Sequence, residues 1–393
     1  MQHLKSIIPS FLFFAGANFA LADKPPLDCG KKSLADAVNK ADTADTISFT
    51  GTCTGPIVIQ TDGITLKGAG IAIIDGGGQD AVTIAGAHGV ALMNLEVRNG
   101  LNGVVGSNGA HVTLTGVNSH DNGVFGVTLQ TASSAVLSGV TVKNNGVHGL
   151  DLETGSAATV TGTLTSSNNR VFGINVNGSS ITFSRANATV SGNALGIQIA
   201  TSANAFLNDS TTVINVTNNL ATGLTVVSGA HMVSFGGTIN ASGNPVAGVS
   251  VNSKGGLDLD AGSMLNSFNN GDGVLVQEAS VMTIFNNPQF SGVPGFSTVN
   301  THNNTGSGMS IRTGSTVTLS NQAKIVSNQN ATGLLADNGT GVTLVNSTIT
   351  GNTARDLQLT FGARADLQTL TFGSYSCDAT VLARGTSGIT CPH

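Results

Sequence analysis

Asp, Glu, Lys and Arg make up only 9% of this 393-residue chain, so the places where they gather stand out. One such place spans residues 120–177. Asp151 and Glu153 alternate along a short β-type run. An extended backbone sets such a pair about 6.8 Å apart, near the lower end of the separation at which an acid and a base cleave a glycosidic bond with inversion. His148, Lys143 and Arg170 fall around them and suit a different reaction. His148 or Lys143 would take the proton beside a uronate carboxylate while Arg170 neutralises its charge. These five are the candidate catalytic residues. His120, Asp121, Gln130, Asn175 and Asn177 fall on the same wall and are candidate substrate contacts. The alternative for the whole group is a solvated wall whose charges confer solubility.

A repeat must place these residues. It reads Asn, a short bend, Gly, then two apolar residues flanking a small polar one, as in NGVFGVTL at 122–129, NGVHGLDL at 145–152 and NRVFGINV at 169–176. The bend glycines Gly103, Gly126, Gly149, Gly173, Gly196, Gly223, Gly248, Gly273, Gly308 and Gly333 recur every 23–27 residues, apart from one interval of 35. A period in this range, with no 3.6-residue periodicity inside it, signals a β-solenoid. After each glycine the alternation predicts Leu150 and Leu152 inside and Asp151 and Glu153 in solvent. Further strands such as 112–114 and 140–142 repeat the pattern, giving three short strands per coil. Stacked coils put each side chain above its equivalent, so Asn122, Asn145, Asn169, Asn193, Asn219, Asn244, Asn270, Asn304 and Asn330 form an amide ladder that satisfies buried polar groups without charge. The glycine beside it answers a need for positive φ or for close backbone approach.

This Asn-rich bend followed by Gly-apolar-x-apolar, with the stretch ITLKGAGIAIIDGGGQDAVTI at 64–84, resembles the right-handed parallel β-helix proteins of the pectate-lyase-like superfamily over about residues 45–375. The resemblance implies an all-β, single-stranded right-handed parallel β-helix. It also implies a protein that binds or modifies an extended polysaccharide, of lyase, epimerase or hydrolase type. The Asn-Thr-Asp, paired Asp, Gly-His-Gly and Arg-x-Lys strings of the hydrolytic members do not occur; Val-His-Gly at 147–149 keeps half of one. The rival is a non-catalytic cell-envelope or adhesin-like solenoid.

The ends and the composition complete the expectation. Residues 1–22 read as a secretory signal, with Lys5 before an apolar stretch and Ala20-Leu21-Ala22 as the cleavage triplet. Residues 23–45 form an N-terminal cap in which Ser33 and Asp36 start a short amphipathic helix bearing Leu34, Ala37, Val38 and Ala41. Residues 46–375 are the solenoid, and 376–393 a disulfide-bearing tail. The four cysteines pair by proximity as Cys29 with Cys53 and Cys377 with Cys391, which fits a secreted or periplasmic protein. Phe361, Leu367, Leu370, Phe372 and Tyr375 are expected to cover the last coil. The 35-residue interval, holding Phe285, Pro288, Phe290, Pro294 and Phe296, should leave the wall as an apolar loop. With 52 Gly, 40% hydrophobic residues and a net charge of −5, the chain is neither disordered nor collagen-like, and it offers no basic field for nucleic acid. No membrane insertion is expected, and a monomer is. GGGQDAVT at 76–83 lacks the tandem copies of a calcium repeat, and Asp258 with Asp260 supplies too few oxygens for a hard cation. Hence no metal or cofactor is expected, and the partner is a polysaccharide or cell-surface glycan.

Overall fold

In the computed structural model, described for residues 25–287, 295–385 and 388–392, the chain winds into a parallel β-solenoid of two sheets. One sheet, called narrow here, has 14 strands and carries the segments that follow the repeat asparagines, such as Phe125–Leu129, His148–Leu152 and Phe172–Asn177. The 26-stranded wide sheet bends into two arms. His111–His120 runs through both arms, its start pairing with Ser134–Ser138 and its end with Val140–Lys143. Later coils split the two arms into separate strands, so each coil contributes three. The signal expected at 1–22 and the middle of the expected apolar loop, 288–294, lie outside the described residues.

Small residues and left-handed backbone make the corners. Between the arms stand Gly116, Gly139 and Gly162, all at positive φ. Before each ladder asparagine comes a residue in the left-handed region: Asp121, Asn144, Asn168, Gly192 and Asn218 in turn. Asn, Asp and Gly tolerate that conformation best. The bend glycines are a different case. None of them has a positive φ; they answer the other need, for space. A Cβ on Gly126 would sit 2.7 Å from Asn145 Nδ2 and 2.7 Å from the Gly149 carbonyl oxygen.

The amide ladder runs from Asn122 to Asn352. Asn145 Oδ1 accepts from Asn122 N (3.2 Å) and Nδ2 (3.0 Å), and Asn169 Oδ1 accepts from Asn145 N (3.1 Å) and Nδ2 (2.9 Å). The same donation toward the next coil continues through Asn330 to Asn352, one rung beyond the repeats recognised in the sequence. Asn352 in turn donates to Asp356 Oδ1, whose other oxygen accepts from Gly373 N and Ser374 N. All the amide dipoles therefore point at one buried carboxylate. Although burial opposes its ionisation, these hydrogen bonds hold Asp356 below the usual carboxylate range.

Both ends are covered. Ser33 Oγ accepts from Asp36 N (3.1 Å) and caps the helix Leu34–Asn39, whose Leu34 and Val38 are buried against the first coil. The disulfide Cys29–Cys53 ties this cap to the strand Thr46–Thr54. Cys377–Cys391 closes the other end, where Tyr375–Cys377 adds the last strand of the narrow sheet and Leu382–Gly385 extends the wide one. Of the expected covering residues, Leu367 is buried in the core, but Phe361 is 68% exposed. It occupies a left-handed corner position, at φ 52°.

Asn169→Ala should lower the unfolding free energy by roughly 2–4 kcal/mol, because it leaves buried donors and acceptors on two neighbouring coils unpartnered. Gly126→Ala should cost at least as much through its clash with Asn145. Urea unfolding of both variants checks this; midpoints equal to that of the parent protein would show the ladder to be dispensable.

Candidate functional site

The ladder corner separates the ten candidate side chains into two groups. His120 and Lys143 end strands of the wide sheet's second arm and are register neighbours. Asp121 follows directly, and its Oδ2 lies 2.6 Å from His120 Nδ1. Arg170 is exposed in the corner itself. The narrow sheet carries His148, Asp151, Glu153, Gln130, Asn175 and Asn177.

Three columns run along that sheet, parallel to the solenoid axis. The central one is fixed by hydrogen bonds. Thr128 Oγ1 donates to Asp151 Oδ2 (3.2 Å), Asn175 Nδ2 donates to Asp151 Oδ1 (2.9 Å), and Gln198 Nε2 donates to Asn175 Oδ1 (3.2 Å). Contrary to the expected solvent face, Thr128, Asp151 and Asn175 are all buried, Asp151 completely. Packing between its neighbours and their mutual hydrogen bonds removes this column from water. Burial pushes the Asp151 carboxyl up to about 6, with the nearby Glu153 charge adding to the rise and the bonds from Asn175 and Thr128 opposing it.

Aromatic rings make the column on one side. Phe125 and His148 are stacked, centroids 5.4 Å apart, and His148 meets Phe172 at 4.9 Å. The His148 ring is held between them, and its Nδ1 accepts the backbone N–H of Phe172 (3.2 Å). Burial lowers its pKa to about 4, with a hydrogen bond to the Val147 backbone opposing, so the imidazole is neutral at pH 7. Asn102 Oδ1 and Asp272 Oδ1 accept the equivalent N–H groups of Phe125 and Ser307 on other coils. His148 thus fills a recurrent acceptor position. On the other side run Gln130, Glu153 and Asn177, exposed or half-buried at the strand ends.

The sequence reading missed two sets of residues. Phe125 and Phe172 stand directly before bend glycines, and that shared position was the available signal. Asp75, Glu96 and Arg98 extend the His120 group: Arg98 lies 3.3 Å from Asp75 and 3.2 Å from Glu96, which is also 3.2 Å from His120 Nε2. Glu96 also lines a cavity of about 290 Å³ with Ile71, Asn94 and Asn118. The charges here are paired: the His120 hydrogen bond holds Asp121 below the usual carboxylate range, against burial, with Asn144 and Lys143 assisting. The lone histidines behave differently from one another, His231 pairing with Asp258 at 3.2 Å and His302 stacking on Phe268. Among the described residues, no group of three or more His, Cys, Asp or Glu could hold a metal ion.

Residues 57–260 match the family described as "Right handed beta helix region". No curated protein matches the chain in sequence. Among solved structures, the enzymatically active domain of tailspike protein 2 from bacteriophage CBA120 is similar with a TM-score of 0.53 at 11% identity; the match covers 66% of this chain and 47% of that one. This chain therefore spans about half of that structure. An alginate lyase from Paenibacillus sp. gives a TM-score of 0.45 at 16% identity, covering 64% of this chain and 96% of that one. A pectate lyase gives 0.42 at 15%, covering 68% and 72%. At these identities the likeness is one of fold.

Because the folded Asp151 has a raised pKa, its contribution favours the fold below the ordinary carboxylate pKa and is lost as pH rises through about 6. Asp151→Asn keeps the oxygen that accepts from Asn175 and removes the buried charge. It should flatten the pH dependence of stability between about 4 and 6 and stabilise the protein at pH 7 by roughly 1–2 kcal/mol. Urea midpoints measured across that range check both effects.

Proposed function

The chain belongs to the right-handed β-helix family, and from that premise we propose that it binds an extended polysaccharide along the outer face of the narrow sheet. One observation carries this reading: successive coils present the same three kinds of group in line, an aromatic column, a hydrogen-bonded polar spine and a polar edge. The rise per coil is about 4.8 Å, comparable to the length of a pyranose ring. A sugar chain lying along the axis would set its apolar C–H faces across the edges of the Phe125, His148 and Phe172 rings. Its hydroxyls would meet Gln130, Glu153 and Asn177. Lys143 and Arg170 lie near enough along the chain to add charge attraction if the sugars are acidic.

The geometry favours holding the polymer over cutting it. Both Asp151 oxygens are engaged and inaccessible, and His148 Nδ1 already accepts a backbone N–H. Neither can move a proton at a bound sugar without giving up those bonds. A catalytic reading retains one specific support: an acid titrating near 6 beside the carboxylate Glu153 has the pairing that glycosidic cleavage requires. In that reading Asp151 is the acid and Glu153 the base.

Two disulfides suit an oxidising compartment, and no described helix is long and apolar enough to cross a membrane. A secreted or periplasmic monomer is the proposed state. With a net charge of −5, nucleic acid is not among the proposed partners.

Native electrophoresis through gels containing alginate or polygalacturonate tests the reading. Retardation is expected in at least one of them, with Phe172→Ala weakening it about tenfold, the upper range for one aromatic contact. Neither new reducing ends nor an unsaturated, ultraviolet-absorbing product should appear. Product that disappears in both Asp151→Asn and Glu153→Gln would move the assignment to catalysis, and no retardation in any gel would remove it.

A further inference from the structure

The second arm of the wide sheet presents another face, on the far side of the ladder corner from the aromatic column. Its outward positions from Thr163 to His302 carry no Asp, Glu, Lys or Arg. Thr165, Thr189, Asn215, Asn240, Asn266 and Asn300 share one column in register. The last four form a second amide ladder. Asn240 Nδ2 donates to Asn215 Oδ1 (2.9 Å), Asn266 Nδ2 to Asn240 Oδ1 (2.8 Å), and Asn300 Nδ2 to Asn266 Oδ1 (2.8 Å).

This ladder differs from the buried one in two respects. Its donors point toward earlier coils, and its side chains are half-buried rather than enclosed. A primary amide has two N–H donors and two acceptor lone pairs. Asn240 and Asn266 each spend one N–H and one lone pair within the ladder, which fixes their orientation and leaves the remaining pair to the solvent side. Beside them, in the next column, Phe268 and His302 stack with their planes 2° apart and centroids 5.0 Å apart. Asn303 Nδ2 lies 3.1 Å from His302 Nδ1.

Fixed donor and acceptor pairs at each rung, an apolar aromatic edge alongside and an uncharged stretch between Lys143 and Lys324 define the ligand by its chemistry. Sugar hydroxyls both donate and accept, and a sugar's C–H face packs on apolar aromatic edges. An acidic polymer would lose hydration of its carboxylates along this stretch, with register-neighbouring lysines at its two ends alone. We propose that this face binds a neutral, extended glycan, with Asn240, Asn266 and Asn300 hydrogen-bonding its hydroxyls and a sugar C–H face lying across the edges of the stacked Phe268 and His302 rings. The site is separate from the narrow-sheet wall and stands or falls independently of it.

Native electrophoresis of the full chain through gels containing mixed-linkage β-glucan, galactomannan, dextran or polygalacturonate tests the proposal. Retardation is expected in at least one neutral gel. Phe268→Ala and Asn266→Asp should each weaken it at least tenfold. Ser242→Arg, which adds a bulky charge beside Phe268 without touching the ladder, should do the same while leaving the circular dichroism spectrum and the unfolding midpoint unchanged. Phe172→Ala, on the other wall, should leave this retardation intact. No retardation in any neutral gel, retardation by polygalacturonate alone, or full retardation of Ser242→Arg would each overturn the assignment; loss in Phe172→Ala but not in Ser242→Arg would transfer the neutral glycan to the narrow sheet.

Discussion

A side-chain oxygen that accepts two N–H groups from the coil below is the contact on which this solenoid rests. At nearly every rung an asparagine Oδ1 takes both the backbone and the amide hydrogen of its predecessor, and at Asn304 the backbone hydrogen of Asn270, so the corner is bonded through side chains where no β-ladder exists. Such a contact requires room, and glycine supplies it. The bend glycines stand where any Cβ would collide with the amide of the next coil, which is why Asn and Gly recur together. The chain of aligned amides has polarity, and the buried Asp356 carboxylate meets its donor end, joining the last full rung to the residues that close the stack.

Stacking in register also explains the composition. Whatever stands at one position is repeated about 4.8 Å away on the next coil. Two like charges at that distance repel, strongly where water is excluded. A long column of carboxylates or ammoniums is therefore costly, whereas hydroxyls and amides can bond to one another along it. Asp151 sits between Thr128 and Asn175, and in the early coils Arg98 stands against Asp75 and Glu96 instead of against another cation. A chain with 9% charged residues follows from its architecture.

Two outward polar columns emerge from the same rule, on opposite sides of the ladder corner. On the narrow sheet the column is enclosed, flanked by rings, and holds one carboxylate with a raised pKa. On the second arm it is open, uncharged and built on asparagine. Both line up equivalent groups along the axis, one coil apart. The protein's surface chemistry is in this sense one-dimensional: it varies around the coil and slowly along it.

The repeat length, the three strands per coil, the identity of the ladder and the disulfide partners were all legible in the sequence, because each depends on neighbours within one coil or on identical residues one period apart. Asn122 and Asn145 declare each other by recurring. Burial of the outward face was not legible. Alternation distinguishes Leu150 from Asp151, but the exclusion of water from Asp151 depends on Thr128, Asn175 and the side chains flanking them, which belong to three coils at once. The same holds for His148, whose neutral state follows from two phenylalanines and one backbone N–H on adjacent coils, and for Glu96 and Arg98, joined to His120 only across the stack. The sequence by itself determined which residues recur and therefore which columns exist. Only the tertiary structure decided which columns meet water and which polar atoms are already spent on one another, since both are properties of a surface assembled from several coils.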